Sequence, residues 1–208
     1  MKDIFSKINN LEKLIGNTPL VEILFKYKEK HMKIYAKLEY YNLTGSIKDR
    51  VAIYMLKRAY INKKINENDL ILEATSGNTG ISFAAVGTYL GHDVHIYMPD
   101  WMSLERIKLL ESYNAKLHLV SKNDGGFLKC ISLTEQCKAN CSDIFLPQQF
   151  SNIDNIYSHY YSTAPEIYST LKKHHISPSI FVAGVGTGGT IMGISKFLKE
   201  KNRHLKAY

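Results

Sequence analysis

"LILEATSGNTGISFAAVGTYLGHDVHIYMP", residues 70–99, is the stretch on which the fold turns. "LILEAT" is a short apolar run of strand length. "SGNTGISFAAVGTYLG" continues at helix length and closes on Gly91, a helix stop signal. "DVHIYMP" then reads as a second strand. A strand, a helix and another strand in immediate succession call for a parallel sheet, because parallel neighbours need a crossover connection.

The same alternation extends outward from this unit. Upstream, strand-like "KIYAKLEY" (33–40) leads into a helix opening near Ser46. Downstream, "SLERIKLLESYNA" is helical, "KLHLVS" a strand, and "GGFLKCISLTEQCKAN" a helix carrying Phe127, Cys130, Thr134 and Cys137 on one stripe. "SIFVAGVG" leads to "TGGTIMGISKFLKEK", and "HLKAY" begins another strand. The class is therefore α/β. The strand at 204–208 stops with no turn or cap after it, and the chain reads as a piece of a longer protein.

Composition narrows the function. The chain has 208 residues, 45% hydrophobic and 22% charged, which suits a globular protein with a substantial core. No apolar run reaches the length of a membrane span, and "MKDIFSKINN" has no signal-peptide core. A cytoplasmic enzyme or binding protein is the expectation. The net charge of +8 raises nucleic acid as a partner. The lysines alternate with acids and apolar residues, as in "KYKEKHMK", so they read as solvated helix faces and no nucleic acid is expected. Cys130, Cys137 and Cys141 lack a fourth ligand nearby, so no metal site is expected.

Three loops point to one chemistry. In "NLTGSIKDR" (42–50), Ser46 reads as a helix N-cap with Asp49 three residues on, as in a capping box. Lys48 then falls in the first turn, where the helix dipole disfavours a cation by about 0.3–1 kcal/mol. In "TSGNTG" (75–80), hydroxyls and an amide crowd a helix N-terminus suited to a carboxylate or phosphate; ordinary capping is the plain alternative. In "GVGTGGT" (184–190), the backbone amides of Gly186, Thr187, Gly188, Gly189 and Thr190 could wrap a phosphate. That loop also satisfies G-x-G-x-x-G, but "RHLKAY" lacks the acid a dinucleotide fold needs. Together they answer why an ammonium stands at the positive end of a helix. Desolvation there favours the neutral amine, and a neutral amine condenses with an aldehyde. An aldehyde cofactor bearing a phosphate is pyridoxal 5'-phosphate.

Six ordered segments then resemble one family: "LIGNTPL" (14–20), "NLTGSIKDR", "EATSGNTGIS", "MPDWMSLERIKLLESYNA", "PQQFSN" and "GVGTGGTIMG". They are similar to the cysteine synthase (O-acetylserine sulfhydrylase) and cystathionine β-synthase family over nearly the whole chain. The resemblance implies a tryptophan-synthase-β-like fold, type II among pyridoxal-phosphate enzymes, with two three-layer α/β domains and the cofactor between them. The first would comprise 1–19 and 42–150, and the second, incomplete here, 20–41 and 151–208. It implies Lys48 as the Schiff-base lysine, Asn78 at the cofactor's ring hydroxyl, and Gly186, Thr187, Gly188, Gly189 and Thr190 at its phosphate. Thr75, Ser76, Gly77, Thr79 and Gln149 would receive the substrate carboxylate. The implied reaction is β-replacement: acetate leaves the β-carbon of O-acetyl-L-serine and sulfide takes its place, giving L-cysteine. Lys48 would serve as anchor, base and later acid. A homodimer and a serine acetyltransferase C-terminal tail are the partners implied. Leu43 stands where the family commonly has proline.

Other readings compete. Cystathionine β-synthase would use homocysteine as the nucleophile. Threonine or serine dehydratases share the chemistry, but "TSGNTG" and "PQQFSN" resemble the synthases more. A nicotinamide-dependent oxidoreductase predicts the acid that "RHLKAY" lacks. A truncated pseudoenzyme that only binds a partner predicts no cofactor absorbance.

Overall fold

The computed structural model describes residues 2–75 and 77–208. The 70–99 unit folds as its pattern demands. Strand β3 (Leu70–Ala74) is followed by helix α3 (Asn78–Leu90) and strand β4 (Val94–Pro99), and the two strands pair in parallel with Ile71 opposite Val94. Gly91 ends α3 in the left-handed conformation at φ 100°, which an L side chain rarely adopts. Strands β5 (Lys116–Val120) and β6 (Ile144–Phe145) complete a four-stranded parallel sheet in the order β5-β4-β3-β6. Each crossover is helical: α4 (Leu104–Ser112) joins β4 to β5, and α5 (Gly126–Asn140) joins β5 to β6.

The remaining elements flank that sheet. Helix α1 is Lys2–Leu11, and β1 (Leu20–Tyr27) and β2 (Lys30–Lys37) form an antiparallel hairpin. The sequence pattern had suggested a strand only over the second arm. A short 3-10 turn (Glu39–Tyr41) leads to α2 (Lys48–Ile61). Helix α6 (Asp154–Ser158) runs through a π-helical turn (His159–Thr163) into α7 (Ala164–Lys173). The glycine loop lies between β7 (Ile180–Phe181) and α8 (Gly189–Lys201), and β8 (Lys206–Ala207) pairs in parallel with β7.

Among the described residues, two main apolar cores and a smaller third cluster follow from this arrangement. The larger joins Ile4 and Ile8 of α1, Val51, Met55 and Leu56 of α2, Phe83 and Val86 of α3, and Ile71, Val94 and Ile96 of the sheet. The smaller joins Ala164, Ile167 and Leu171 of α7 to Ile194 and Leu198 of α8, with Leu20 and Tyr35 of the hairpin packed against it. On the α5 face of the sheet, Cys130 is buried with Ala74 and Val120. Cys137 is half-buried and Cys141 exposed.

Contact between α3 and the sheet is close enough to require glycine at position 87. A Cβ there would lie 2.7 Å from Val94 Cγ2 and 2.8 Å from Ile71 Cδ1. Gly87→Ala should therefore destabilise the fold by about 1–3 kcal/mol, read as a lower urea midpoint with an unchanged slope.

Candidate active site

The Lys48 turn departs from the expected capping box. Helix α2 begins at Lys48 itself, and Ile47 precedes it in a helical conformation without a side-chain cap. The Ser46 hydroxyl accepts the Lys48 N–H at 3.2 Å. The Asp49 N–H donates to the Ser46 carbonyl at 3.3 Å, but its side chain does not close the capping box. Its buried carboxylate accepts the Thr44 N–H at 2.7 Å, the Thr44 hydroxyl at 2.5 Å and the Ser82 hydroxyl at 2.6 Å. The physical reason is that a fully buried carboxylate needs several donors, and the loop and α3 supply them. That arrangement also leaves Lys48 alone. Its half-buried amine makes no ion pair among the described residues, and burial lowers its pKa. Neutralisation by Asp49 or Glu39, the plain alternative for a lysine here, is not what the chain uses.

Glu39 is engaged by Arg50, two residues beyond Lys48. The Arg50 guanidinium, 2% exposed, donates to both oxygens of Glu39 at 2.7 and 2.9 Å. It also donates to both oxygens of Glu166, on α7, at 2.7 and 2.8 Å. Lys37 reaches Glu166 at 2.7 Å, and the Thr18 hydroxyl donates to Glu39 at 2.7 Å. Two cations thus face two carboxylates. Burial opposes ionisation of Glu166, but Arg50 and Lys37 outweigh it and hold its pKa at about 2. The "LIGNTPL" segment contributes Thr18 to this network, and Gly16 donates its N–H to Asn42 Oδ1 at 2.8 Å.

The glycine loop is held from α6. Asn155 Nδ2 donates to Thr187 Oγ1 at 2.8 Å and to the Gln149 carbonyl at 2.9 Å. His159 is fully buried, with Nδ1 3.0 Å from Thr163 Oγ1 and Nε2 3.3 Å from Thr190 Oγ1. Burial, with repulsion from the Lys48 and Arg50 charges, depresses its pKa to about 3, so the ring is neutral at pH 7. Gly188 has φ 81° and opens α8, whose first N–H groups have no intrahelical acceptor. A Cβ on Gly186 or Gly188 would meet nothing within 4 Å, so the loop borders open space. A half-buried amine without an ion pair among the described residues, in a chain that also carries an amide-lined loop of this kind, fits a phosphate-bearing aldehyde.

The third loop meets the "PQQFSN" segment. Gly77 precedes α3, whose first residue is Asn78. Thr79, 4% exposed, donates its hydroxyl to Gln149 Oε1 at 2.6 Å. Thr75 is buried and accepts the Gly77 N–H at 3.3 Å. Ser76 lies outside the described residues. Asn78 and Ser82 share a face of α3 at i and i+4, and Ser82 bonds the residue next to Lys48. The sequence reading missed Asn155, His159 and the Arg50 network. A signal existed for the first two: polar residues four apart in "NIYSHYY" with helical spacing, on an otherwise aromatic stretch.

This constellation stands in a chain that belongs to the pyridoxal-phosphate dependent enzyme family, whose model matches residues 11–208. Among relatives, cysteine synthase B of Campylobacter jejuni is 42% identical over 191 residues, 92% of this chain and 61% of that protein. A solved hydrogen sulfide-producing enzyme from Fusobacterium nucleatum superimposes with a TM-score of 0.94 at 51% identity, over 97% of this chain and 60% of that one. A cysteine synthase from Entamoeba histolytica gives 0.83 at 35% identity, over 95% and 59%. The chain thus spans about 60% of the length of these relatives.

Removing Arg50 leaves the half-buried carboxylates of Glu39 and Glu166 facing each other, with Lys37 on Glu166 as the one remaining cation of the network. Arg50→Ala should cost about 3–5 kcal/mol of stability at neutral pH. Glu166 titrates at about 2 against an ordinary 4.5. Across that window the unfolded chain binds more protons, so stability falls as pH drops through it. Urea titrations at several pH values should show that acid loss in the native chain and a shallower one in Glu166→Gln.

Proposed function

We propose that this chain carries the core of a pyridoxal-phosphate-dependent β-replacement site making L-cysteine from O-acetyl-L-serine and sulfide. One observation carries the reading most: the Lys48 amine is half-buried and without an ion-pair partner among the described residues, and burial lowers its pKa. The threonines of the glycine loop are held in place from the 154–163 run, Thr187 by Asn155 and Thr190 by His159.

Bound there, the cofactor would supply an aldehyde carbon and a conjugated ring that accepts electron density. Lys48 would hold its aldehyde, Asn78 its ring hydroxyl, and Gly186, Thr187, Gly188, Gly189 and Thr190 its phosphate. Asn155 and His159 fix the side chains of Thr187 and Thr190, so the loop need not reorganise as the anion arrives. Thr75, Ser76, Gly77, Thr79 and Gln149 would receive the donor's carboxylate, supported by the bond between Thr79 and Gln149. Lys48 Nζ, whose pKa burial lowers, would take the α-proton of the donor and later return one. Loss of acetate from the β-carbon and addition of sulfide there complete the exchange.

The two apolar cores support a division into domains at 1–19 with 42–150, and 20–41 with 151–208, the Arg50 network lying where they meet. No described helix is long and apolar enough to cross a membrane. The reading extends, through the family resemblance, to a cytoplasmic homodimer and to the C-terminal tail of a serine acetyltransferase as a partner.

A visible absorbance spectrum of the purified protein reconstituted with pyridoxal phosphate tests the proposal. A yellow band that borohydride bleaches, and that Lys48→Ala lacks, is the expected result. O-acetylserine should then change the spectrum, and sulfide should reverse that change faster than homocysteine does. An unchanged spectrum on adding O-acetylserine rules out the donor.

A further inference from the structure

Behind the carboxylate-receiving loops lies an acidic group the reaction does not use. Glu73 is on β3, two residues before Thr75, so the two side chains leave the same face of the strand. It is 3% exposed, and its Oε2 has no hydrogen-bond partner. The group borders a cavity of about 190 Å³ whose walls include Ile131 and Thr134 of α5, Leu146, Gln148 and Phe150. Among the described residues, no cation lines that cavity, and Glu135 of α5 is the one other titratable side chain on its walls. Gln148 adopts φ 55°, a left-handed turn that directs consecutive N–H groups to one side. The backbone N–H groups of Ala74, Gln148 and Gln149 act on the Glu73 carboxyl, favouring its charged form, but burial outweighs them and raises its pKa to about 8.

We propose that Glu73 is a positioning residue whose uncharged carboxyl group seats the 148–149 turn and keeps the adjoining carboxylate-binding loops free of a competing negative charge. Gln149 is tied through its side chain to Thr79 and through its backbone to Asn155, so the place of its N–H governs both contacts. An ionised Glu73 would stand beside the arriving donor carboxylate and repel it. The protonated form leaves the seat to the donor. The inference rests on the proposed substrate reading for its second half and on the fold alone for its first.

Two measurements test it. In the first, no cofactor is added and the protein is labelled with carbon-13 at glutamate side chains. One carboxyl resonance should titrate near pH 8 and be missing from Glu73→Gln. Folded Glu73 keeps its proton from 4.5 to about 8 while the unfolded chain loses it, so native stability should decline with rising pH across that window. Glu73→Gln should lack that decline, and amide exchange at 148–149 should speed up in Glu73→Ala but not in Glu73→Gln. In the second, O-acetylserine is titrated into cofactor-loaded protein. Apparent affinity in the native chain should fall by up to about tenfold per pH unit above 8, a fall that Glu73→Gln removes. An ordinary glutamate titration, or the same affinity profile in both proteins, overturns the inference. If neither protein responds to O-acetylserine at any pH, the substrate reading fails, and the turn-seating claim is decided by the first measurement.

Discussion

The Arg50 guanidinium is the constraint from which the rest of the site takes its shape. It is buried between Glu39, in the turn before α2, and Glu166, on α7, with all four carboxylate oxygens in reach. A planar, permanently charged fork suits this place, because it can bind two carboxylates bidentately without rotating. Lys37 brings the charge count to balance. Buried ion pairs contribute little net stability compared with apolar packing, but once formed they tolerate no partial disassembly. The start of α2, with Lys48 on it, is therefore fixed relative to α7 and to the helical run that carries His159.

Around that lock, each functional group is oriented by a neighbour that does no chemistry. Asp49 gathers Thr44 and Ser82, which sets the turn before Lys48 and the start of α3 together. Asn155 and His159 each hold one threonine of the glycine loop. The Lys48 amine is left without an ion-pair partner among the described residues. Its lowered pKa goes with the others being satisfied: an ion pair with Asp49 or Glu39 would have stabilised the ammonium form instead. The same segregation marks Glu73, a carboxyl group bordering a cavity that no cation among the described residues lines.

Much of the architecture was legible because it is written in local periodicity. Strand-length apolar runs alternate with helix-length segments from residue 70 to 140, and Gly91 marks a helix end by its conformation. The first hairpin arm escaped notice, because "LVEILFKY" alternates poorly and exposes most of its length. The glycine loop and "TSGNTG" could be singled out, since backbone amides at helix starts are an intrinsic property of such stretches. The role of Asp49 was misjudged for a related reason. Capping is a local option, and burial among distant donors overrode it.

What the amino-acid order carried alone was the α/β class, the three loops and the expectation that Lys48 suits an aldehyde. These depend on contacts within a few residues, or on residue types whose chemistry travels with them. Which side chains would be paired, and which left without a partner, was a matter for the tertiary structure. Arg50 meets Glu166 across 116 positions, and Thr79 meets Gln149 across 70. Pairings of that span are fixed by how helices and sheet pack, and only after packing does desolvation lower the pKa of Lys48 and His159 and raise that of Glu73.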